Sequence, residues 1–267
     1  MSPWFEYPRF DWQDRHAIVI GAGIAGCQMT WHLSQFGWRV TLIEQEATIS
    51  NQASGNLAGV ISPKMTSQMS DSEQFYLDAF HYTTQQLKRL LAKGAEIDWQ
   101  PCGMLQLAHN DRELQRWEAL RQRNLDTDLI QLVDQVETAK IAGIPCDYPA
   151  SYFPNAGDIN PVSFCHGLLA DSNYQLIQAT EAVQLQRDTD QSNWNIFDDN
   201  QKLLAAAEAV VICNGKDLNQ FKQSNFITLA NVLGQTSLTD EKLNNELSCV
   251  ICHEGYLTPS YKGKHGF

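Results

Sequence analysis

Hydrophobic and polar positions between residues 16 and 44 follow a strand–helix–strand pattern. The apolar run Ala17–Ile20 predicts a buried parallel strand, and Val40–Ile43 predicts a second one. A helix between them is predicted by apolar residues at helical spacing, namely Ala25, Met29, Leu33 and Phe36. Gly37 follows this pattern directly and favours a helix end. The segment is therefore predicted to form a βαβ unit.

Four further helices are predicted from their start and stop signals. Ser70 or Asp71 caps a helix from about residue 72 to 93. Gly94 stops this helix, and its apolar face holds Leu77, Phe80, Thr84, Leu87 and Leu91. The other three are a helix opened by the capping box Asn110-x-x-Glu113 and reaching about Arg123, a helix between Asp134 and Ala142, and a helix from Pro161 to Asp171.

The remaining apolar runs predict strands. Ile97–Trp99 and Met104–Ala108 are predicted to form an antiparallel pair, and residues 145–160 to cross back between domains. A β-meander is predicted over Gln175–Gln178, Ala182–Gln186 and Trp194–Phe197, followed by an apolar strand at Ala209–Cys213 and by strands of an antiparallel sheet within Ile227–Leu238 and Cys249–Thr258.

The turn between the first strand and the first helix has the pattern G-x-G-x-x-G. Gly21 permits a tight turn, and Gly23 lets backbone N–H groups approach a pyrophosphate. Gly26 lets the helix pack closely on the strand. Glu44 ends the second strand, where its carboxylate can bind both hydroxyls of a ribose and would repel a 2′-phosphate. The turn, its context and this acid predict a dinucleotide site that disfavours NADP.

Two other segments bear on this site. Ser50–Gly59 suits a short helical turn whose N–H groups and hydroxyls meet a phosphate, and it equally suits an ordinary loop rich in glycine and serine. The strand Ala209–Cys213 runs into Asn214 and Gly215. We expect its end to lie beside the glycine turn and to contact the cofactor again.

Composition narrows the class of protein. The 267 residues carry a formal net charge of −12, which disfavours non-specific binding of a phosphate backbone. Seven cysteines at irregular spacing, the lack of a long apolar run and the lack of a leader-like N-terminus predict a cytoplasmic protein with reduced thiols and no membrane span. A nucleic-acid contact would need a local basic patch, and two predicted helices carry basic residues. One group is Lys88, Arg89 and Lys93, and the other is Arg112, Arg116, Arg121 and Arg123. Both helices are rich in polar residues, which favours the interpretation that these groups lie on solvated helix faces.

The cysteines also suggest other chemistry, which their context disfavours. Cys249-x-x-Cys252-His253 matches the pattern of covalent haem attachment, but the run alternates as a strand does and no export signal precedes it. The other cysteines show no metal-ligand spacing, so no metal is expected. The order of predicted elements instead suits a flavoprotein whose dinucleotide domain is interrupted by a substrate domain.

Several pieces of sequence together carry a family resemblance. They are the glycine turn with Glu44, Ala53-Ser54-Gly55-Asn56, Val210-Val211-Ile212-Cys213-Asn214-Gly215 and Gly255-Tyr256-Leu257-Thr258-Pro259. With these pieces the chain resembles the glycine oxidase/D-amino acid oxidase superfamily. Within it, the chain is most similar to the FAD-dependent oxidase half of the bifunctional enzymes that modify the wobble uridine of tRNA. Pro3-Trp4-Phe5 looks like the linker between the two halves of those enzymes.

The resemblance implies a fold and a division into domains. The fold is α/β with α+β elements, in which a Rossmann-like FAD-binding domain is interrupted by an antiparallel-sheet substrate domain, as in D-amino acid oxidase. We expect a linker arm at residues 1–13, the FAD-binding domain at 14–94 and 158–222, and the substrate domain at 95–157 and 223–267.

The resemblance also implies an activity. It is the FAD-dependent oxidative removal of the carboxymethyl group from 5-carboxymethylaminomethyl-(2-thio)uridine at position 34 of tRNA. The products are the 5-aminomethyl nucleoside and glyoxylate. The family pattern continues beyond Phe267, where it would supply an arginine for the substrate carboxylate, and a methyltransferase half belongs to the parent protein. Two alternatives stay open: a small-molecule amine oxidase acting on glycine or sarcosine, and a non-catalytic flavin- or tRNA-binding fragment.

Individual residues take roles by the same resemblance. Tyr256 matches a tyrosine that hydrogen-bonds the substrate carboxylate, and its alternative interpretation is a core aromatic residue on a strand. The implied FAD-binding residues are Gly21, Gly23, Ile24, Ala25, Gly26, Glu44, Gln45, Ser54, Gly55, Asn56, Gly59, Ile61, Val183, Asn214 and Gly215.

Overall fold

The computed structural model describes residues 11–188, 192–232, 234–239 and 247–267. The predicted linker arm therefore lies outside the described residues, apart from residues 11–13. The described chain divides into two units. The first unit contains the residues up to Ser54 together with Leu168–Asn231, and the second contains Gly55–Gly167 together with Val232–Phe267.

The described residues form five α-helices and two short 3₁₀ helices. The α-helices are α1 (Ile24–Gln35), α2 (Asp71–Ala92), α3 (Asp111–Arg121), α4 (Gln135–Ala142) and α5 (Pro161–Ala170). The 3₁₀ helices are Ala53–Gly55 and Gly215–Gln220. No helix among the described residues is long and apolar enough to cross a membrane.

The strands of the first unit are β1 (His16–Ile20), β2 (Arg39–Ile43), β9 (Tyr174–Ile177), β10 (Gln184–Arg187), β11 (Trp194–Phe197), β12 (Leu203–Ala207) and β13 (Ala209–Ile212). Those of the second unit are β3 (Gly59–Ile61), β4 (Trp99–Gln100), β5 (Met104–Leu107), β6 (Gln131–Val133), β7 (Ala150–Phe153), β8 (Gly157–Ile159), β14 (Leu238–Thr239), β15 (Val250–Cys252), β16 (Tyr256–Leu257) and β17 (His265–Gly266).

The first unit is built on a four-stranded parallel sheet in the order β13–β1–β2–β9. Val19 of β1 lies opposite Leu42 of β2 and Val211 of β13. Residues 17–20 are all buried, so both faces of β1 are covered. Strands in such sheets are continuous apolar runs, and for this reason the sequence pattern predicted β1, β2 and β13 correctly.

A three-stranded antiparallel sheet, β10–β11–β12, completes the first unit. Its Leu185 and Ile196 join Ile18, Ile43 and Phe221 in one buried cluster. The predicted meander is therefore confirmed for β10 and β11. It was wrong for the first predicted strand, because β9 pairs in parallel with β2 in the other sheet.

The second unit is built on a five-stranded mixed sheet in the order β16–β15–β5–β7–β6. Successive residues of a strand point to opposite faces. On one face Met104 packs with Phe80 of α2 and Leu120 of α3. On the other face Leu105 packs with Ala142 of α4. Two small sheets, β3–β8–β4 and β14–β17, complete the unit.

Local start signals placed the helices well. The Ser70 side chain accepts a hydrogen bond from Glu73 N–H, Asn110 accepts one from Glu113 N–H, and Asp134 accepts one from Glu137 N–H. Pro161 begins α5 as predicted. The spacing that predicted α1 does not mark its buried face, because Phe36 is 73% exposed. That face is formed instead by Gly26, Cys27, Thr30 and Trp31.

Long-range strand pairing departed from the predictions. Ile97–Trp99 and Met104–Ala108 do not pair with each other, because β4 pairs with β8 while β5 pairs with β7 and β15. Gly103, with φ at +86°, lies between β4 and β5. An added Cβ there would lie 2.6 Å from the Tyr152 ring, so glycine is needed.

Three further expectations about the second unit were wrong. Residues 145–160 were expected to cross between domains, but they form β7 and β8. The strand β15 pairs in parallel with β5 rather than lying in a purely antiparallel sheet. Among its described residues, the segment Ile227–Leu238 contains strand structure only at its end, in β14. Sequence periodicity carries no information about which strand lies beside which.

The boundaries between the two units do not coincide with the expected domain boundaries. The helix α2 was expected in the FAD-binding domain, but it belongs to the second unit because Phe80 is part of the buried cluster on the mixed sheet. The second boundary falls within α5, between Gly167 and Leu168. The assignment of cofactor and substrate roles to the units remains a prediction.

Candidate cofactor and substrate residues

The glycine turn between β1 and α1 is held by close backbone contacts. Gly21 has φ at +97°, and an added Cβ would lie 2.6 Å from the carbonyl oxygen of Cys213. At Gly26 an added Cβ would lie 1.8 Å from the carbonyl oxygen of Gly21. Neither position accepts a side chain without movement of the backbone. The two outer glycines therefore shape the turn itself.

At the middle glycine an added Cβ would meet a side chain rather than backbone. Gly23 has ordinary extended φ and ψ values, and an added Cβ would meet only the side chain of Ser54, with its Oγ at 3.0 Å. Ile24 N–H, in the first turn of α1, donates to the same Ser54 Oγ at 3.0 Å. No acidic residue lies in that first turn. A helix N-terminus approached by glycine backbone and a hydroxyl fits a pyrophosphate.

Glu44 is buried at the end of β2 and bonds to backbone on both sides. Its Oε2 accepts from Ala22 N–H at 2.6 Å, and its Oε1 accepts from Glu46 N–H at 2.9 Å. Each carboxylate oxygen has a second lone pair, so both can still accept from ribose hydroxyls. Glu44 therefore has a role in the turn that the sequence did not predict, because it fixes the amide between Gly21 and Gly23.

The end of β13 lies beside the glycine turn, as predicted. Cys213 N–H donates to Ile20 C=O at 2.7 Å, and Asn214 Cα would lie 3.0 Å from a Cβ on Gly21. Asn214 Nδ2 donates to Asp217 C=O at 2.9 Å, whereas its buried Oδ1 has no hydrogen-bond partner within the described structure. A buried acceptor without a partner at this position fits a donor group on a bound ligand.

The other predicted residues of the first unit lie on or next to its helices and strands. Gln45 is exposed directly after Glu44, and Ala25 is exposed in the first turn of α1. Gly215 follows Asn214 with φ at +61°. Val183 N–H donates to Phe197 C=O at 2.9 Å. If the Val183 backbone meets adenine, its carbonyl group must therefore make the contact.

The predicted residues of the second unit lie on β3, just before β3, or on β16. Asn56 Oδ1 accepts from the Thr236 hydroxyl at 3.2 Å. Gly59 and Ile61 are the two ends of β3, and Gly55 ends the short 3₁₀ turn. That turn was one of the two interpretations left open for this segment.

Tyr256 lies on β16 and uses its hydroxyl inside the unit. The phenol donates to Ala58 C=O at 3.2 Å. Burial, together with the nearby Cys252, raises the pKa of Tyr256, so the phenol stays protonated and can donate at neutral pH. Binding a carboxylate would require this donor to turn away from Ala58.

Of the seven cysteines, Cys27, Cys165 and Cys249 are buried and the other four are half-buried. Burial raises the pKa of Cys249 to about 12 and that of Cys252 to about 12, so neither forms a thiolate at neutral pH. Both belong to the β15 region, as the alternating pattern indicated. Among the described residues, no group of three or more histidine, cysteine, aspartate or glutamate side chains could hold a metal ion.

Two buried carboxylates were missed from the sequence. Asp158 of β8 is 2% exposed, and burial raises its pKa while the Cys102 thiol donates to its Oδ1 at 3.5 Å. Glu73 of α2 is 1% exposed and pairs with Arg123. Arg123 therefore does not belong to a solvated basic face. Nothing around Glu73 in the sequence indicates burial, because a glutamate in the first turn of a helix is usually exposed.

The fold and the glycine turn define the class of protein. A family model described as "DAO: FAD dependent oxidoreductase" matches residues 16–266, and the chain belongs to this family. FAD, the cofactor expected from the resemblance, is the cofactor of the family, and the expected class of enzyme is confirmed. The predicted Rossmann-like, D-amino acid oxidase-like fold agrees with this assignment.

Proteins similar in sequence point to one kind of enzyme within this family. The chain is 36% identical over 265 residues to the tRNA 5-methylaminomethyl-2-thiouridine biosynthesis bifunctional protein MnmC of Pseudomonas syringae pv. tomato. It is 35% identical over 265 residues to the protein of the same name from Pseudomonas savastanoi pv. phaseolicola. In both cases the alignment covers 99% of this chain and 39% of the relative. The chain thus spans well under half the length of these relatives.

Solved structures agree on the fold. Glycine oxidase from Bacillus cereus superposes with a TM-score of 0.75 at 17% identity, and glycine oxidase from Geobacillus kaustophilus with a TM-score of 0.73 at 18% identity. Each match covers 94% of this chain and 69% of the other chain. At such identities the likeness concerns the fold alone.

Proposed function

We propose that this chain is the FAD-dependent oxidase part of a tRNA wobble-uridine enzyme. Its substrate is 5-carboxymethylaminomethyl-(2-thio)uridine at position 34 of tRNA, and its products are the 5-aminomethyl nucleoside and glyoxylate. One observation carries the proposal: 35–36% identity along 99% of the chain to bifunctional proteins named for this biosynthesis. A cytoplasmic location and a methyltransferase domain in the parent protein belong to the same proposal.

The first unit offers the residues that would hold the cofactor. Gly23 and Ser54 would hold the pyrophosphate at the start of α1, Glu44 would accept from the adenosine ribose, and Asn214 Oδ1 would accept from a donor on the ligand. When bound, FAD supplies the acceptor for the two electrons removed from the substrate C–H bond.

The chain needs to contribute little acid–base chemistry. The substrate carries a glycine-like CH₂ between its amine and its carboxylate. Oxidation turns the C–N bond into C=N, and water then hydrolyses it to the primary amine and glyoxylate. If the amine binds neutral, positioning of the amine and carboxylate suffices. Tyr256, as a protonated phenol, is the proposed donor to the carboxylate.

The test uses the purified chain with added FAD. A flavin spectrum establishes the holoprotein, and tRNA carrying the carboxymethylaminomethyl group is then added without oxygen. Bleaching of the flavin and release of one glyoxylate per flavin support the proposal. Glycine and sarcosine serve as the small-molecule comparison. If they bleach the flavin and the modified tRNA does not, the chain is a small-molecule amine oxidase instead.

A further inference from the structure

The second unit contains a cavity that the proposed cofactor residues do not use. Its volume is about 300 Å³, at the lower end of the ~300–1,000 Å³ typical of ligand pockets. Its walls come from the sheet strands β5, β7 and β15, from residues 62–65, and from α2 and α3. A space of this size suits one nucleoside rather than a folded stem.

The charge of the cavity is opposite to that of the chain. Lys64 and Arg116 line it, and none of the described residues that line it is acidic. The whole chain has 31 acidic and only 19 basic residues. Arg116 also pairs with Glu113, at 2.5 Å, and its side chain remains 32% exposed. The cavity is thus a local attraction for an anion on an acidic protein.

One aromatic ring lines the cavity, and a second ring lies beside the first. Tyr76 lines it and is 42% exposed, and Lys64 Nζ lies 5.0 Å from the centre of its ring. The neighbouring Phe75 is 67% exposed, and its ring centroid lies 5.6 Å from that of Tyr76. Exposed rings beside cations are the surface that single-stranded nucleic acid uses, with bases stacked on rings and phosphates on cations.

The inner wall of the cavity offers polar groups for the edge of a base. Gln106 and Ser151 lie on the neighbouring strands β5 and β7, where they are register partners and share one face of the sheet. Gln106 Nε2 donates to Cys252 C=O at 3.4 Å. This hydrogen bond orients the Gln106 side-chain amide and leaves its Oε1 as an acceptor. Apolar residues such as Met104 and Phe153 complete the wall.

The cavity adjoins the residue assigned to the substrate. Cys252 lines the cavity, and Tyr256 is its register partner on β16. Register partners in an antiparallel pair lie side by side on one face. A substrate whose reactive end reaches Tyr256 therefore has its remaining bulk close to the cavity.

We propose that this cavity binds one nucleotide of the single-stranded anticodon loop, with the base against Tyr76 and the phosphate between Lys64 and Arg116. This rests on the proposed function and names the part of the chain that distinguishes tRNA from a small amine. The loop that carries Lys64 is held in place, since the buried Glu73 accepts from Thr66 N–H at 2.7 Å and pairs with Arg123.

Direct binding of RNA tests the subsite without reference to catalysis. The probe is a fluorescein-labelled anticodon stem-loop RNA, and its anisotropy is followed with the FAD-loaded full chain at several salt concentrations. For Lys64→Ala the slope of log Kd against log salt should fall by about 0.7, the value for one phosphate contact on a single strand. Lys262→Ala is the matched control, because Lys262 Nζ lies 4.8 Å from the Tyr261 ring but does not line the cavity.

The stacking contact has its own pair of variants. Tyr76→Ala should weaken binding about fivefold or more, the effect of losing one stacked base, whereas Tyr76→Phe should stay within about twofold. Lys64 and Tyr76 are both exposed, so their variants should fold, and a melting curve verifies this. Failure of the wild-type chain to bind the RNA, equal losses in Lys64→Ala and Lys262→Ala, or equal losses in the two Tyr76 variants would each overturn the proposal.

Glyoxylate release separates this proposal from the function on which it rests. Should modified tRNA release glyoxylate with the same kcat/KM in wild type, Lys64→Ala and Tyr76→Ala, the function stands and the subsite is wrong. RNA binding with the expected variant pattern but no glyoxylate from modified tRNA supports the subsite and refutes the proposed reaction.

Discussion

Glu73 and Arg123 form a buried ion pair whose removal gives a sharp test of the structure. Glu73 is 1% exposed, so its carboxylate is closed off from solvent. Arg123 Nη2 lies 2.5 Å and Nη1 3.0 Å from its two oxygens, while Thr66 donates its N–H at 2.7 Å and its hydroxyl at 2.8 Å. The pair thereby ties the loop after Lys64 to α2 and to the turn that follows α3.

The change Glu73→Gln removes the charge while keeping the shape. With the amide oxygen in the place of Oε2, three of the four hydrogen bonds survive, but the amide NH₂ then faces the Arg123 guanidinium. The substitution thus leaves a mostly buried cation without its partner, which costs about 3–5 kcal/mol. We expect the lower end, about 3 kcal/mol, because the Arg123 side chain is 18% exposed and can recruit water.

The same pair sets a dependence of stability on pH. Burial alone raises the pKa of Glu73, but the hydrogen bonds from Arg123 and Thr66 outweigh it and hold that pKa below its usual 4.5. Above pH 4.5 the carboxylate is ionised in both states, and its full contribution to stability is present. Below that pH the unfolded chain takes up the proton first, so the contribution is lost as pH falls through the folded pKa. The difference between wild type and Glu73→Gln should therefore shrink in acid.

Denaturant unfolding measures the loss, and hydrogen exchange of α2 peptides locates it. Glu137→Gln is the control, because the Glu137–Lys140 pair of the same unit has side chains 46% and 76% exposed. Such exposed pairs contribute about 0.2–1 kcal/mol. In the double variant with Arg123→Met the cost should be less than the sum of the single costs. Equal destabilisation by Glu73→Gln and Glu137→Gln would refute the reasoning.

Three other predictions concern the cofactor, the substrate and the cysteines. Gly23→Ala should leave the unfolding free energy of the apoprotein within about 0.5 kcal/mol but weaken FAD binding at least about tenfold, whereas Gly26→Ala should lower both, as thermal melting and flavin titration will show. A similar loss of stability in both variants would contradict the close-contact argument. Tyr256→Phe should raise KM for the modified tRNA about tenfold or more with FAD binding unchanged, since one hydrogen bond to a charged group is lost; an unchanged KM would exclude its proposed role. Iodoacetamide at pH 8 should leave Cys249 and Cys252 unmodified in the native protein, because their pKa values of about 12 keep both thiols protonated. Rapid native-state labelling, monitored by mass spectrometry, would contradict these raised pKa values.

The sequence determined the parts of this protein that depend on neighbours along the chain. Strands of a covered parallel sheet are continuous apolar runs, so the buried β1 and β2 and the half-buried β13 were found from hydrophobicity alone. Capping residues bond to amides three positions away, so the starts of α2, α3 and α4 were visible. The glycine turn with Glu44 was recognisable because its chemistry requires these residue types at fixed spacing.

Tertiary structure alone decided what those elements meet. Nothing in β15 itself indicates a parallel partner in β5, and nothing in the segment before α5 distinguishes β7 and β8 from a crossing loop. Strand pairing joins residues far apart in the chain, and the period of a strand is the same with any partner. The bond from Ala22 to Glu44, the buried pair of Glu73 and Arg123, and the cationic cavity arise in the same way. Each joins side chains and backbone brought together only by packing, and burial is a property of the folded chain rather than of a residue type.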